Sequence, residues 1–130
     1  MLIFRRRSKS WWVNWLVPGR YKHVAAFGYV HETDCWIFFD AWLGGTTIQV
    51  ARGDAARAMM VAWTRDADVL RMDALPPRTS GFLDLRMLCT TAIAHMLGVP
   101  GALLPVTLHR QCLDHGAMIV VADGHTHPAS

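Results

Sequence analysis

Cysteine is scarce and unpatterned in this chain. There are three, Cys35, Cys89 and Cys112, an odd number with no CxxC pair. That argues against a disulfide framework and against a zinc knuckle. A long apolar run is also missing. Hydrophobic residues make up 52% of the chain and charged ones 18%, yet no stretch approaches the ~20 residues needed to span a bilayer. Nor does the start read as a secretory leader. Arg5, Arg6, Arg7 and Lys9 precede a seven-residue apolar patch broken by Asn14, with no small-residue cleavage site. No internal repeat or linker is visible. The chain therefore reads as one intracellular domain without a signal peptide or transmembrane helix, and its 130 residues suffice to bury a core.

Acidic residues are absent from the first 22 positions. That segment holds six of the 13 basic side chains, leaving seven basic against ten acidic in the remainder. The net charge of +3 thus hides a basic arm on a mildly acidic body. A broad nucleic-acid-binding face is not expected, and no specific nucleic-acid partner is implied. Residues 1–20 read as a basic, tryptophan-rich arm, 21–123 as the domain and 124–130 as a short tail. Arg5, Arg6 and Arg7 beside Trp11 and Trp12 suit a membrane surface or a protein partner. Trp11 and Trp15 share a helical face. Trp15 is expected to be buried, with Arg5–Lys9 exposed.

The body alternates strand and helix signals. HVAAFGYV (23–30) and CWIFFDAW (35–42), joined by HETD, predict a hairpin, and TTIQVAR (46–52) a third strand. DAARAMMVAWTR reads as a helix capped by Asp54, with Ala55, Met59, Ala62 and Trp63 near one face. DVLRMD (68–73) predicts a fourth strand, VTLHRQCLDHG a helix closed by Gly116, and AMIVVAD (117–123) a buried strand. The class is α+β, an antiparallel sheet of about five strands with three helices.

The most informative stretch is LDLRMLCTTAIAHMLGVPG, residues 83–101. It predicts a helix from Cys89 to Leu97, with Ile93, Met96 and Leu97 on one face. Gly98 stands where a left-handed residue ends a helix, and Pro100 forbids continuation. A thiol in the first turn meets free backbone N–H groups and the positive end of the helix dipole, which favour an anionic sulfur. Buried, inert cysteine is the alternative.

A nucleophilic thiol needs an imidazole, and the imidazole needs an orienting group. Among the seven histidines, His31 falls in the hairpin turn. His125 and His127 lie in the tail, an HxH pair without a third metal ligand. His95 is too far along the cysteine's own helix. His109 and His115 flank the last helix as solvated or capping groups. His23 opens the first hairpin strand while Asp40 ends the second, so antiparallel pairing brings them to the same end of the sheet.

These residues resemble papain-like cysteine hydrolases, in which the histidine opens a strand, a carboxylate or amide follows on the next, and the cysteine heads a helix. Here His23, then Asp40-Ala41-Trp42, then Cys89 heading TTAIAHMLG follow the reverse of papain's chain order. The order is similar to the circularly permuted, NlpC-type branch, and to its small phage-encoded members, which share a Leu-Gly helix end (Leu97-Gly98) and a Pro-x-x-Leu segment (Pro105 to Leu108). The likeness spans roughly residues 21–114. It implies a permuted papain-like fold and a Cys89–His23–Asp40 triad, with neither cofactor nor metal. The implied substrate is a peptide, peptidoglycan or other acyl compound, and the setting a host-cell cytoplasm or a virion. Papain's oxyanion glutamine has no counterpart, because that position is Leu83. Thr90, Thr91 or Gln111 would have to assist the Cys89 backbone N–H, with Trp42 at the substrate. The alternative reading is a non-catalytic phage structural or host-interaction module that keeps the fold.

Overall fold

The computed structural model describes residues 1–8, 10–42, 45–73, 75, 88–100 and 102–120. Residues 76–87, which include Leu83, and residues 121–130, which include His125 and His127, lie outside them. Ten principal elements follow in chain order: β1 (Leu2–Arg5), α1 (Trp11–Leu16), β2 (His23–Val30), β3 (Cys35–Trp42), β4 (Gly45–Ala51), α2 (Gly53–Thr64), β5 (Ala67–Arg71), α3 (Cys89–Leu97), α4 (Pro105–Asp114) and β6 (Met118–Val120). The strands form one sheet in the order β4-β3-β2-β1-β5-β6, every neighbouring pair antiparallel. The class is α+β, with six strands and four helices among the described residues where about five and three were expected. No helix among the described residues is long and apolar enough to cross a membrane.

The first four-residue strand corrects the reading of 1–20 as an arm. β1 lies inside the sheet, paired with β2 through Phe4↔Val24 and with β5 through Ile3↔Val69. Leu2, Ile3 and Phe4 are buried. Because side chains alternate across a strand, β1 feeds both cores. Leu2 and Phe4 join Val24, Leu70, Ile93 and Leu108 under α3 and α4. Ile3 joins Phe27, Phe38 and Ala56 under α2. Each large apolar side chain buried in this way contributes roughly 1.5–3 kcal/mol.

Several local expectations shift by a residue or a face. The helix α2 starts at Gly53 after Arg52, with no side-chain cap from Asp54. Its packed residues are Ala56, Met59, Met60 and Trp63, while Ala55 and Ala62 are exposed. β6 is an edge strand whose Met118 and Ile119 face solvent, not a buried one. Trp15 is 85% and Trp11 80% exposed, so the rings of α1 do not complete the core. Arg5 lies in β1 with its guanidinium over the Trp63 ring. Arg6 pairs with Asp68.

The helix that carries the thiol behaves as its sequence requires. α3 runs from Cys89 to Leu97 and ends at Gly98 with φ 70°, a backbone region costly for other residues. Ile93, Ala94 and Leu97 are buried, whereas Met96 is exposed. α4 opens on Pro105, whose missing N–H costs nothing at a first helical position.

Candidate active site

The site begins with how β2 uses its two edges. Met1 and Phe27 exchange backbone hydrogen bonds in both directions, each 2.9 Å. Odd-numbered residues of β2 therefore turn their backbone groups toward β1, and even-numbered ones toward β3. The β2–β3 register runs from Val30↔Cys35 to Ala26↔Phe39, and its next bonded pair would join Val24 to Ala41. The Val24 N–H instead donates to the sulfur of Cys89. The first turn of α3 thus meets the sheet at the end of the hairpin where His23 begins one strand and Asp40–Trp42 finish the other.

Cys89 is the first residue of α3, and Leu88 precedes it in extended conformation. The first intrahelical bond is Ala92 N–H to Leu88 O at 3.0 Å, which leaves the earlier N–H groups for other acceptors. The Thr90 N–H takes the Cys89 sulfur. The Thr91 hydroxyl receives the Leu88 N–H at 3.1 Å and donates to the Leu88 carbonyl at 3.0 Å, tying down the helix start.

The imidazole of His23 links the other two groups. Its Nε2 lies 2.5 Å from Asp40 Oδ1, and the ring also hydrogen-bonds the Cys89 thiol. Continuing the β2–β3 register sets Asp40 opposite Ala25, one diagonal step from His23. The His23 and Asp40 side chains are only 14% and 19% exposed, so their charges are poorly screened. Burial by itself works to lower the pKa of His23, but the hydrogen bonds to Asp40 and Cys89 outweigh it and raise the value to about 9. Burial likewise works to raise the Cys89 thiol. The His23 hydrogen bond and charge, with the Val24 and Thr90 N–H groups, overcome it and hold the thiol below its ordinary range. Both shifts favour thiolate beside imidazolium. Cys112 is the contrast, since burial alone pushes it up to about 11.

A cavity of about 180 Å³ opens on this group, lined by His23, Cys89 and Thr90 together with Trp12, Lys22 and Trp42. Trp42 thus lines the same cavity as His23 and Cys89. The Thr90 hydroxyl donates to the Leu103 carbonyl at 3.3 Å, and that of Thr91 is occupied at the helix start. Both hydroxyls thus already have backbone partners. Gln111 sits in α4 with its Oε1 buried, and it is not among the described residues lining the cavity. Among the described residues, no group of three or more His, Cys, Asp or Glu could hold a metal. The larger hollow between β4 and α2, about 820 Å³ beside Val50, Met59 and Trp63, contains no nucleophile among its described lining residues.

Three features of the site escape a reading of local sequence: the Val24 donor, α1 as a cavity wall through Trp12, and Lys22 beside the histidine. Adjacency to His23 was the one available signal, and it pointed to Lys22. His109, expected to be solvated or capping, instead packs edge-on against Phe4 with centroids 4.9 Å apart and lies 4.7 Å from the Tyr21 ring. Tyr21 in turn donates to Asp68, anchoring the segment that leads into His23.

Comparison with known proteins finds no family model, curated protein or solved structure that matches the chain.

Proposed function

We propose that the chain is a cysteine hydrolase of amidase or peptidase type, with a permuted papain-like fold. The observation that carries the reading is the hydrogen-bonded series Asp40–His23–Cys89 at the head of a helix. The thiolate of Cys89 attacks the carbonyl carbon of an amide or related acyl bond. The developing oxyanion is met by the Cys89 backbone N–H at the positive end of the α3 dipole. His23 gives its proton to the departing amine as the carbon–nitrogen bond breaks, leaving a thioester on Cys89. Water then adds to the thioester while His23 takes its proton, and that proton returns to the sulfur or the ion pair as the acid leaves. Asp40 orients the ring and stabilises its cationic form. The resemblance to small phage proteins points to a peptide or peptidoglycan bond as substrate, in a host-cell cytoplasm or a virion.

A second reading has its own observation. Trp11 and Trp15 protrude from α1, as on a module that docks a protein or membrane surface. Incubation with peptidoglycan fragments and simple thioesters separates the two. Turnover that disappears in both Cys89→Ala and His23→Ala supports the hydrolase. No turnover, with Cys89 reacting as an ordinary thiol, leaves the docking module.

A further inference from the structure

Among the described residues around the Cys89 cavity, Lys22 is the one charged group outside the Cys89–His23 pair, and its remaining neighbours are mostly apolar, including Trp12, Val13, Trp42 and Leu103. Lys22 immediately precedes His23, and its backbone is held in place because its N–H donates to Arg5 O at 2.8 Å, although the register pairs Arg5 with His23. Two residues of one strand therefore share a single partner, as in a β-bulge, which changes the direction of a side chain at a strand end. The Lys22 Nζ donates to the carbonyl of Val17. That acceptor is neutral, and the ammonium has two further donors to offer.

We propose that Lys22 makes this cavity selective for an acyl compound that carries an anionic group beside an apolar one, with the apolar group against Trp12 and Trp42 and the anion on Lys22. A carboxylate at the end of a peptide and the phosphate of a lipid share this chemistry. The inference rests on the cavity being the substrate site of the reading above, but its test does not require turnover.

The first arm compares alkylation of Cys89 by iodoacetate, an anion, and by iodoacetamide, its neutral counterpart. A unit positive charge several ångströms away in a partly screened cavity favours the anion severalfold. The iodoacetate-to-iodoacetamide rate ratio at Cys89 should fall about threefold or more in Lys22→Gln, be retained in Lys22→Arg, and lose its Lys22 dependence in high salt. An unchanged ratio in Lys22→Gln overturns the proposal, whatever the absolute rates. A slow reaction of Cys89 with iodoacetamide counts against the hydrolase instead.

The second arm needs no thiol. Cys89→Ala protein is titrated with N-acetylphenylalanine and with its amide, following tryptophan fluorescence. Tighter binding of the acid in the Lys22 protein, with the preference lost in Lys22→Gln, supports the proposal. Equal binding of acid and amide by the Lys22 protein, together with a vesicle response that does not depend on Lys22, overturns it. Parallel titration with phosphatidylglycerol vesicles distinguishes the two sources. A Lys22-dependent response to vesicles but not to the soluble acid assigns the anion to a lipid, and the reverse assigns it to a peptide.

Discussion

The backbone N–H of Val24 donates to the sulfur of Cys89, so a strand of the central sheet helps to hold the charge of a thiol carried by a helix. A ladder bond between β2 and β3 would otherwise use that donor. Together with the Thr90 N–H and the His23 ring, it gives the sulfur a polar environment inside an otherwise apolar region, and this is why burial does not leave the thiol inert.

Reactivity of Cys89 should depart from that of a free thiol. The Cys89 thiol is lowered and His23 raised to about 9, and both shifts favour the ion pair. Iodoacetamide labelling should reach its full rate at a lower pH than that of an ordinary thiol of pKa ~8.5. Mass spectrometry after brief labelling of the native protein should find Cys89 modified, with Cys35 and Cys112 protected by burial. A rate that climbs only around pH 8.5 would sink the ion-pair assignment.

Asp40→Asn removes the charge that stabilises the imidazolium but keeps a side chain of similar size. The pH midpoint for Cys89 labelling should move up, toward the ordinary thiol value. Any hydrolytic rate should fall by about 10²–10⁴, the range typical of triad carboxylates and bases. Unchanged labelling in this variant would remove Asp40 from the site.

The same linkage predicts how stability varies with pH. His23 binds its proton more tightly folded than unfolded. Its contribution is therefore fully present below the unfolded pKa of ~6.5 and lost as pH rises through about 9. The difference in unfolding free energy between the native protein and His23→Gln should be on the order of 2 kcal/mol near pH 6 and shrink by pH 9–10. Denaturant melts across that range measure it. A difference that grows with pH contradicts the raised value.

The beginning of the chain should divide sharply into structural and dispensable parts. Phe4 is fully buried in β1, so Phe4→Ala should cost ~3–5 kcal/mol. Trp11→Ala with Trp15→Ala, both on the exposed face of α1, should change stability by no more than ~0.5 kcal/mol each. Thermal melts that reverse this order would show that α1, not β1, supports the fold.

Much of this site can be derived from local sequence, because its parts are set by local rules. A strand that opens at His23, a four-residue turn and a second strand that reaches Asp40 bring an imidazole and a carboxylate to one sheet end by counting alone. Gly98 and Pro100 limit the helix on one side, and its pattern back to Cys89 places the thiol in the first turn. Local sequence located α2 and its packed Met59 and Trp63, but not its start before Asp54 nor the packing of Ala56 and Met60 in place of Ala55 and Ala62.

What remained to tertiary structure was decided by pairing between distant segments. Leu2–Arg5 is too short to show a period and abuts a basic run, so nothing nearby marks it as a strand. It becomes one because β2 and β5 each leave an edge that it satisfies, and because both faces of the sheet need its apolar side chains. The exposure of Trp11 and Trp15, the Val24 donor and the placing of Lys22 at the cavity have the same origin. By itself the sequence determined which side chains can do chemistry and on which element each stands. Only the folded sheet, by directing each backbone donor to a partner and excluding water from one strand end, decided which of them share a proton.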